Sequence, residues 1–342
     1  MATNPKLEFF RFKLNHKTNK FKTFRDFAIE ELKGAKSISN EDAFKLCFEK
    51  FMSAFDKDYA KDEKRKKAIT VISHAEVNKH LDKKPAFSSS KSIIFGVING
   101  GPYGKERIVS DIGNKNDSSN LHQNKTVMFY YYIFVYLPPE HNEGFFMIHS
   151  NGNDETVTAI FRDYVTSLFK GSDYNKAAPE SFSPKSFQDD FKKDAIIKSL
   201  IFSTSVIDDT HNQDPLSTLL KVYNLKIEIA PKSGKKIKFT SAQQLLNFFS
   251  EKLFNTGNKG IALKDFSQTK LSTENEVTKI PKVFEWNTRD NDFVPVVHLH
   301  GLVKMMPDET PDLAAMKDFC LDLFENQILK ELRPDIYGTK NK

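Results

Sequence analysis

Residues 127–137 read Val-Met-Phe-Tyr-Tyr-Tyr-Ile-Phe-Val-Tyr-Leu, without one charged side chain. A strand alternates its side chains between two faces, so a strand apolar at every position must be covered on both. The run is bounded by Pro138 and Pro139 and is far shorter than the roughly 20 residues a membrane helix needs. The segment is therefore expected to be the central strand of a sheet. Asn142 to Gly144 then turn the chain, and Phe145–His149 is expected to return as its antiparallel neighbour.

The surrounding patterns extend this to an α+β fold with mainly antiparallel sheets and flanking helices. Leu7–Leu14 alternates apolar and charged residues, as a strand near a sheet edge does. Phe24–Leu32 reads as a short helix. Ser39 with Asp42 three residues on marks the start of another, with Phe44, Phe48, Phe51 and Phe55 on one apolar face. Residues 57–67 read as a solvated, charged helix end or loop, Ala68–Ser73 as a buried strand and Asp82–Lys91 as a loop. Ile93–Asn99 and Glu106–Ile112 form β-rich runs around Gly100, Gly101, Pro102 and Gly104, which predicts a hairpin. Thr156–Phe169 carries a helical apolar stripe.

Gly171–Phe187 concentrates Gly, Ser and Pro without a period and is the expected boundary between two domains, 1–175 and 190–342. In the second, Ala195–Val206 and Leu219–Ile229 read as strands, and Thr240 with Gln243 opens a helix. Val283–Asn287 and Val294–Val303 form a predicted hairpin, and Thr310-Pro311 caps a last helix that ends at Arg333-Pro334.

Cys47 and Cys320 are the only cysteines, far apart in apolar patterns, which excludes a disulfide framework and a Cys-based zinc site within one chain. A reducing, cytoplasmic home is expected, with no membrane insertion. The 51 Lys and Arg outnumber the 45 Asp and Glu, a net charge of +6 that suits an anionic partner. Two clusters carry much of that excess: Lys64, Arg65, Lys66 and Lys67, and Lys232, Lys235, Lys236 and Lys238. Either can follow a phosphate backbone if the fold exposes it. Tyr130, Tyr131 and Tyr132 can stack bases only if they escape the core, and burial is the expected fate.

Enzymatic signals are sparse. Asn99–Glu106 lacks the spacing and the magnesium-binding hydroxyl of a P-loop, and Glu228 with Lys232 is wrongly spaced for a metal-dependent nuclease. His122, His141 and His149 fall around the central strands near Asp154 and Glu155, with no spacing that fixes a ligand set. Val296-Val297-His298-Leu299-His300-Gly301 places two imidazoles two residues apart, on one face if the segment is a strand. A His-hydrophobic-His strand resembles the metal motif of the HUH endonucleases, which nick single-stranded DNA. That resemblance implies a divalent metal on His298 and His300 and a nucleophile at Tyr337, with Lys340 three residues on. Tyr337 departs from the family pattern because it follows the helix-breaking Arg333-Pro334 pair. Two structural histidines are the simpler reading.

Ile93–Gly104 (IIFGVINGGPYG), together with the aromatic strand, Leu137-Pro138-Pro139, the returning strand 144–150 and the helix up to Phe169, resembles bacterial proteins found among antiphage-defence and mobile-element genes. The resemblance implies a nucleic-acid-facing role. The expected function is thus a nucleic-acid-binding sensor or accessory subunit of a defence system, whose partner is nucleic acid or a nucleoprotein. The alternatives are a metal-dependent HUH-like nuclease and a protein-interaction scaffold.

Overall fold

The structure is a computed structural model that describes residues 5–55, 58–71, 84–114, 116–150, 157–186, 189, 195–205, 224–241, 244–245, 247–249, 268–275, 281–285, 297–307 and 310–337. The fold is α+β with large antiparallel sheets. Two compact units divide the chain: the first contains residues 1–182 and 296–342, the second residues 183–295.

The first unit is built on strands β1 (Lys6–Lys13), β2 (Asn15–His16), β3 (Ala60–Asp62), β4 (Lys67–Thr70), β5 (Ala86–Ser88), β6 (Ile93–Pro102), β7 (Arg107–Ser110), β8 (Ser118–Leu121), β9 (Phe129–Tyr136), β10 (Glu143–Ser150), β11 (Tyr174–Asn175), β12 (Pro179–Phe182) and β18 (Val297–His298). Its main sheet runs β12-β1-β10-β9-β6-β4-β3, with β18 also on β1 and β5 also on β6. β9 stands in the middle of that path, paired antiparallel to β10 and to β6. Small pairs β2–β11 and β7–β8 complete the unit.

Both faces of β9 are buried, as an uninterrupted apolar strand demands. Tyr131, Ile133 and Val135 point into one core with Phe10, Phe12, Ile98, Phe146 and Ile148. That core is closed by helices α1 (Phe24–Glu31), α2 (Asn40–Phe55) and α3 (Thr158–Leu168). Thr23 caps α1 through a reciprocal pair, its hydroxyl accepting from the Asp26 amide at 3.2 Å while its own amide donates to the Asp26 carboxylate at 2.8 Å. At α2 the Ser39 hydroxyl accepts the Asp42 amide at 3.1 Å. Phe44, Phe51 and Phe55 are buried and Phe48 is partly so, as their helical spacing requires.

The opposite face of the sheet carries Tyr132, Phe134, Tyr136 and Phe145, and the C-terminal segment covers it. Helix α4 (Leu313–Leu323) continues through a π-helical turn (Phe324–Ile328) into α5 (Leu329–Leu332), followed by α6 (Pro334–Tyr337). Phe324 lies 5.0 Å from the Phe134 ring, 4.7 Å from Tyr136 and 6.1 Å from Phe145. The Tyr132 hydroxyl donates to the Pro311 carbonyl, which satisfies its polar end inside the apolar layer.

Several expectations are corrected. Residues 296–342 belong to the first unit rather than to a domain 190–342, because the second face of the central sheet needs a cover and α4 supplies it. The expectation for β1 holds: it is one strand in from the sheet edge, with β10 on one side and the short edge strands β12 and β18 on the other. Residues 60–62 form β3 rather than a helix end or loop and are joined by a turn to β4, whose buried Ala68, Ile69 and Thr70 match the expected strand; residues 86–88 of the expected loop form β5. β6 and β7 are not hairpin partners: β6 continues through Pro102 against β4, and β7 pairs with β8. Within Val294–Val303 the described strand is β18, Val297 and His298, and it pairs with β1 rather than with β17; residues 294–296 lie outside the described residues. The N-cap of α4 is Asp312, whose carboxylate accepts the Ala315 amide at 2.9 Å.

The second unit contains a sheet of β13 (Ala195–Ser205), β14 (Asn224–Ile229), β15 (Ile237–Lys238), β16 (Gln268–Asn275) and β17 (Pro281–Glu285) in the order β14-β13-β16-β17, with β15 also on β13. Among the described residues Ala195, Ile196, Ile197, Leu200, Phe202 and Leu271 are its buried apolar side chains. The Asp208–Pro215 loop lies outside the described residues; of the helix expected after Thr240, residues 244–245 and 247–249 are described and are helical.

Cys47 and Cys320 are buried free thiols, and burial pushes Cys47 up to about 12 and Cys320 higher still. A thiol in an unfolded chain ionises near roughly 8.5, so above that pH the unfolded state sheds protons first. Stability is therefore expected to fall as pH rises from about 8.5 toward 12. Urea titrations across that range, with Cys47→Ser/Cys320→Ser as reference, measure it; an equal pH slope in the two proteins contradicts the assignment.

Candidate nucleic-acid interface

The two basic clusters meet different fates, decided by the acids near each. Lys64, Arg65 and Lys66 lie in the turn between β3 and β4, and Lys67 begins β4. The Arg65 guanidinium contacts Asp62 at 2.6 Å and the Lys66 ammonium contacts Glu63 at 3.0 Å. Lys66 also sits 5.6 Å from the centre of the Tyr103 ring. The Arg65 amide and guanidinium together hold the Asp62 carboxyl below the usual range, and the ammonium of Lys66 does the same to Glu63. Much of this cluster's charge is thus spent locally. The signal was present in the sequence, since Asp62 and Glu63 precede Arg65 and Lys66 by three residues.

Lys232, Lys235, Lys236 and Lys238 belong to the second unit and are all exposed. β14 pairs with Leu200–Ser205 of β13 and β15 with Ile196 and Ile197, so the two form one interrupted strand along a single side of β13. Between them residues 230–236 leave the sheet as a loop. The Lys235 amide donates to the Lys232 carbonyl at 2.9 Å, closing a turn. Its third residue, Gly234, has φ +78°, the left-handed value a type II turn asks of that position. Among the described residues Lys232, Lys235 and Lys238 make no ion pair. The loop therefore presents uncompensated positive charge, and the two basic clusters lie in different units.

A cleft of about 600 Å³ in the first unit was not anticipated. Its polar lining includes Asn40, Lys91, Glu140, His141, Glu325 and Arg333. Lys91 is paired with Glu325. Arg333, nearly buried, binds Asp335 through Nε at 3.1 Å and Nη2 at 2.9 Å. Burial and the Arg333 charge push His141 below its ordinary value, which favours the neutral imidazole. The Asn40 amide donates to Glu140 at 2.6 Å. The cleft's fixed cations thus already have carboxylate partners, which makes it a poor phosphate receptor.

The histidines do not assemble. His149 is buried on β10 with its ring 5.3 Å from Tyr132, whereas His141 precedes the other end of that strand. His122 is exposed, and Asp154 and Glu155 lie outside the described residues. His298 is half-buried on β18, and His300 sits beyond the strand in an exposed turn, so regular strand geometry does not extend to the pair. Among the described residues no group of three His, Cys, Asp or Glu side chains is placed to hold a metal. Tyr337 ends the four-residue helix α6. Tyr131 and Tyr132 are core residues, unable to stack bases. Among the described residues no helix is long and apolar enough to cross a membrane.

Comparison of the chain with protein-family models, with curated proteins and with solved structures gives no match.

Proposed function

We propose that this protein binds nucleic acid through the lysine loop of its second unit and serves as a sensor or accessory subunit in bacterial antiphage defence. The observation that carries the binding is the loop 230–236 with Lys238 beside it, where a turn lifts lysines off a sheet edge and three of them have no counter-charge among the described residues. Such an arrangement releases condensed counterions from a phosphate backbone and needs no base contacts. The defence role rests on the resemblance of Ile93–Gly104 and residues 127–169 to proteins of defence and mobile-element loci.

Lysines along an edge strand also discourage edge-to-edge association. The two roles separate on charge sign, because glutamates protect an edge as well as lysines but repel phosphate. The quadruple change Lys232→Glu, Lys235→Glu, Lys236→Glu, Lys238→Glu is expected to leave the protein folded and soluble. It should weaken binding to labelled single- and double-stranded DNA and RNA by at least about tenfold at low salt. It should also flatten the plot of log affinity against log salt by about 3 units, close to one per lost phosphate contact. Lys64→Glu with Lys67→Glu should have a smaller effect. Absence of salt-dependent binding by the unaltered protein, or an unchanged slope in the variant, overturns the reading. Strand cleavage in magnesium or manganese that disappears in His298→Ala would replace it with the nuclease.

A further inference from the structure

We propose that β7 is an edge through which two copies of this chain pair. β7 and β8 form a two-stranded sheet by themselves. Every residue of β7 is exposed, Ile108 at 71% and Val109 at 51%, and Ile112 in the adjoining turn is fully so. A lone hairpin is marginal in water unless a further strand or a helix packs on it. The β8 side is polar, with Ser118, Ser119 and Asn120, so the apolar side belongs to β7, which has neither a proline nor a bulge to blunt it.

Hydrogen-bond parity restricts what can add there. The Asp111 amide donates to the Asp117 carbonyl at 2.9 Å, and the register continues as Val109 opposite Ser119 and Arg107 opposite Leu121. In an antiparallel ladder these alternate residues turn their backbone groups toward β8. Glu106, Ile108 and Ser110 accordingly turn theirs outward. A second copy must meet outward groups with outward groups, which centres a twofold axis on Ile108 or on Val109.

Centred on Ile108, that residue faces its own copy, Arg107 faces Val109, Glu106 faces Ser110, and Lys105 faces Asp111. An ammonium then stands opposite a carboxylate at both ends of the pairing. The Asp111 carboxylate is already oriented by the Gly113 amide, which it accepts at 2.7 Å. Centred on Val109, Arg107 would face Asp111, but Glu106 would face Ile112 and Ile108 would face Ser110 instead of an apolar partner. The Ile108 register joins an ion pair at each end to an Ile108–Ile108 centre, and a symmetric, isologous interface uses that complementarity twice. The occupant this chemistry fits is a second copy of the chain. Short strands bury little area, so the dimer is weak and concentration-dependent.

The experiment uses the full chain without nucleic acid, which keeps its outcome separate from the function proposed above. Because Cys47 and Cys320 are buried, an added surface cysteine reports cleanly. Ile108→Cys is expected to give a disulfide-linked dimer under mild oxidation, and Asn120→Cys on β8 to give none. Sedimentation equilibrium should show a reversible dimer that Ile108→Lys abolishes and Lys105→Glu weakens at least about tenfold, with Lys105→Glu/Asp111→Lys restoring it by exchanging the charges. A protein monomeric at all concentrations, a dimer indifferent to Ile108→Lys, or no rescue by the charge exchange overturns the proposal.

Discussion

Phe146→Ala is expected to lower the unfolding free energy of the first unit by about 3–5 kcal/mol, the range for truncating a fully buried aromatic. Phe146 is completely buried on β10, opposite Val135 on one side and Phe10 on the other. Its ring stacks on Phe10 at 5.0 Å, meets Phe161 of α3 edge-on at 5.7 Å and lies 6.1 Å from Phe12. One truncation therefore opens a cavity where β1, β10 and α3 converge. Its walls are rings held by other packing, so they cannot collapse into the space. Urea unfolding followed by near-ultraviolet circular dichroism should show the midpoint falling with an unchanged slope. Phe21→Ala, at a side chain 86% exposed, should change stability by less than about 0.5 kcal/mol. A loss under about 1 kcal/mol at Phe146 would mean that this ring does not hold the sheet to its helices.

Gly101→Ala is expected to cost about 3 kcal/mol, the upper end of the overpacking range, because relief requires moving backbone. A Cβ there would lie 1.8 Å from the Val127 carbonyl oxygen and 3.2 Å from the Thr126 hydroxyl. β6 at this point is fixed on its other side by Ala68 of β4, so the approach to β9 must open or the pairing with β4 must slip. Gly234→Ala is the informative comparison. Its surroundings are open but its φ is +78°, so the cost is that of the left-handed conformation alone, about 1–2 kcal/mol. Thermal unfolding of both variants tests the ranking; Gly101→Ala proving no worse than Gly234→Ala would contradict the close approach of β6 to residues 126–127.

The candidate interface was half legible in the sequence. Lys232–Lys238 stood out as basic around a turn-forming glycine, and Lys64–Lys67 looked equivalent to it. The distinction came from ion pairing: Asp62 and Glu63 take up charge in the first cluster, whereas the second is lifted from an edge with three lysines uncompensated among the described residues. The cleft around Lys91, His141 and Arg333 left no sequence signal, since its residues come from four separated stretches of chain.

By itself, the sequence determined what short-range physics governs. An apolar run without charge had to be a strand buried on both faces, the aromatic period of α2 had to face a core, and Ser39 with Asp42 had to start a helix. Tertiary structure alone decided which distant segments met these demands. The need for two covers was legible in residues 127–137, but α1–α3 on one face and α4 on the other were chosen by shape and contact across much of the chain. The same holds for β1, whose alternation is identical at an edge or in the interior, because backbone hydrogen bonds carry no record in the side chains of who will accept them. Side-chain period fixes the demand for burial, and only the folded chain settles which partner fulfils it.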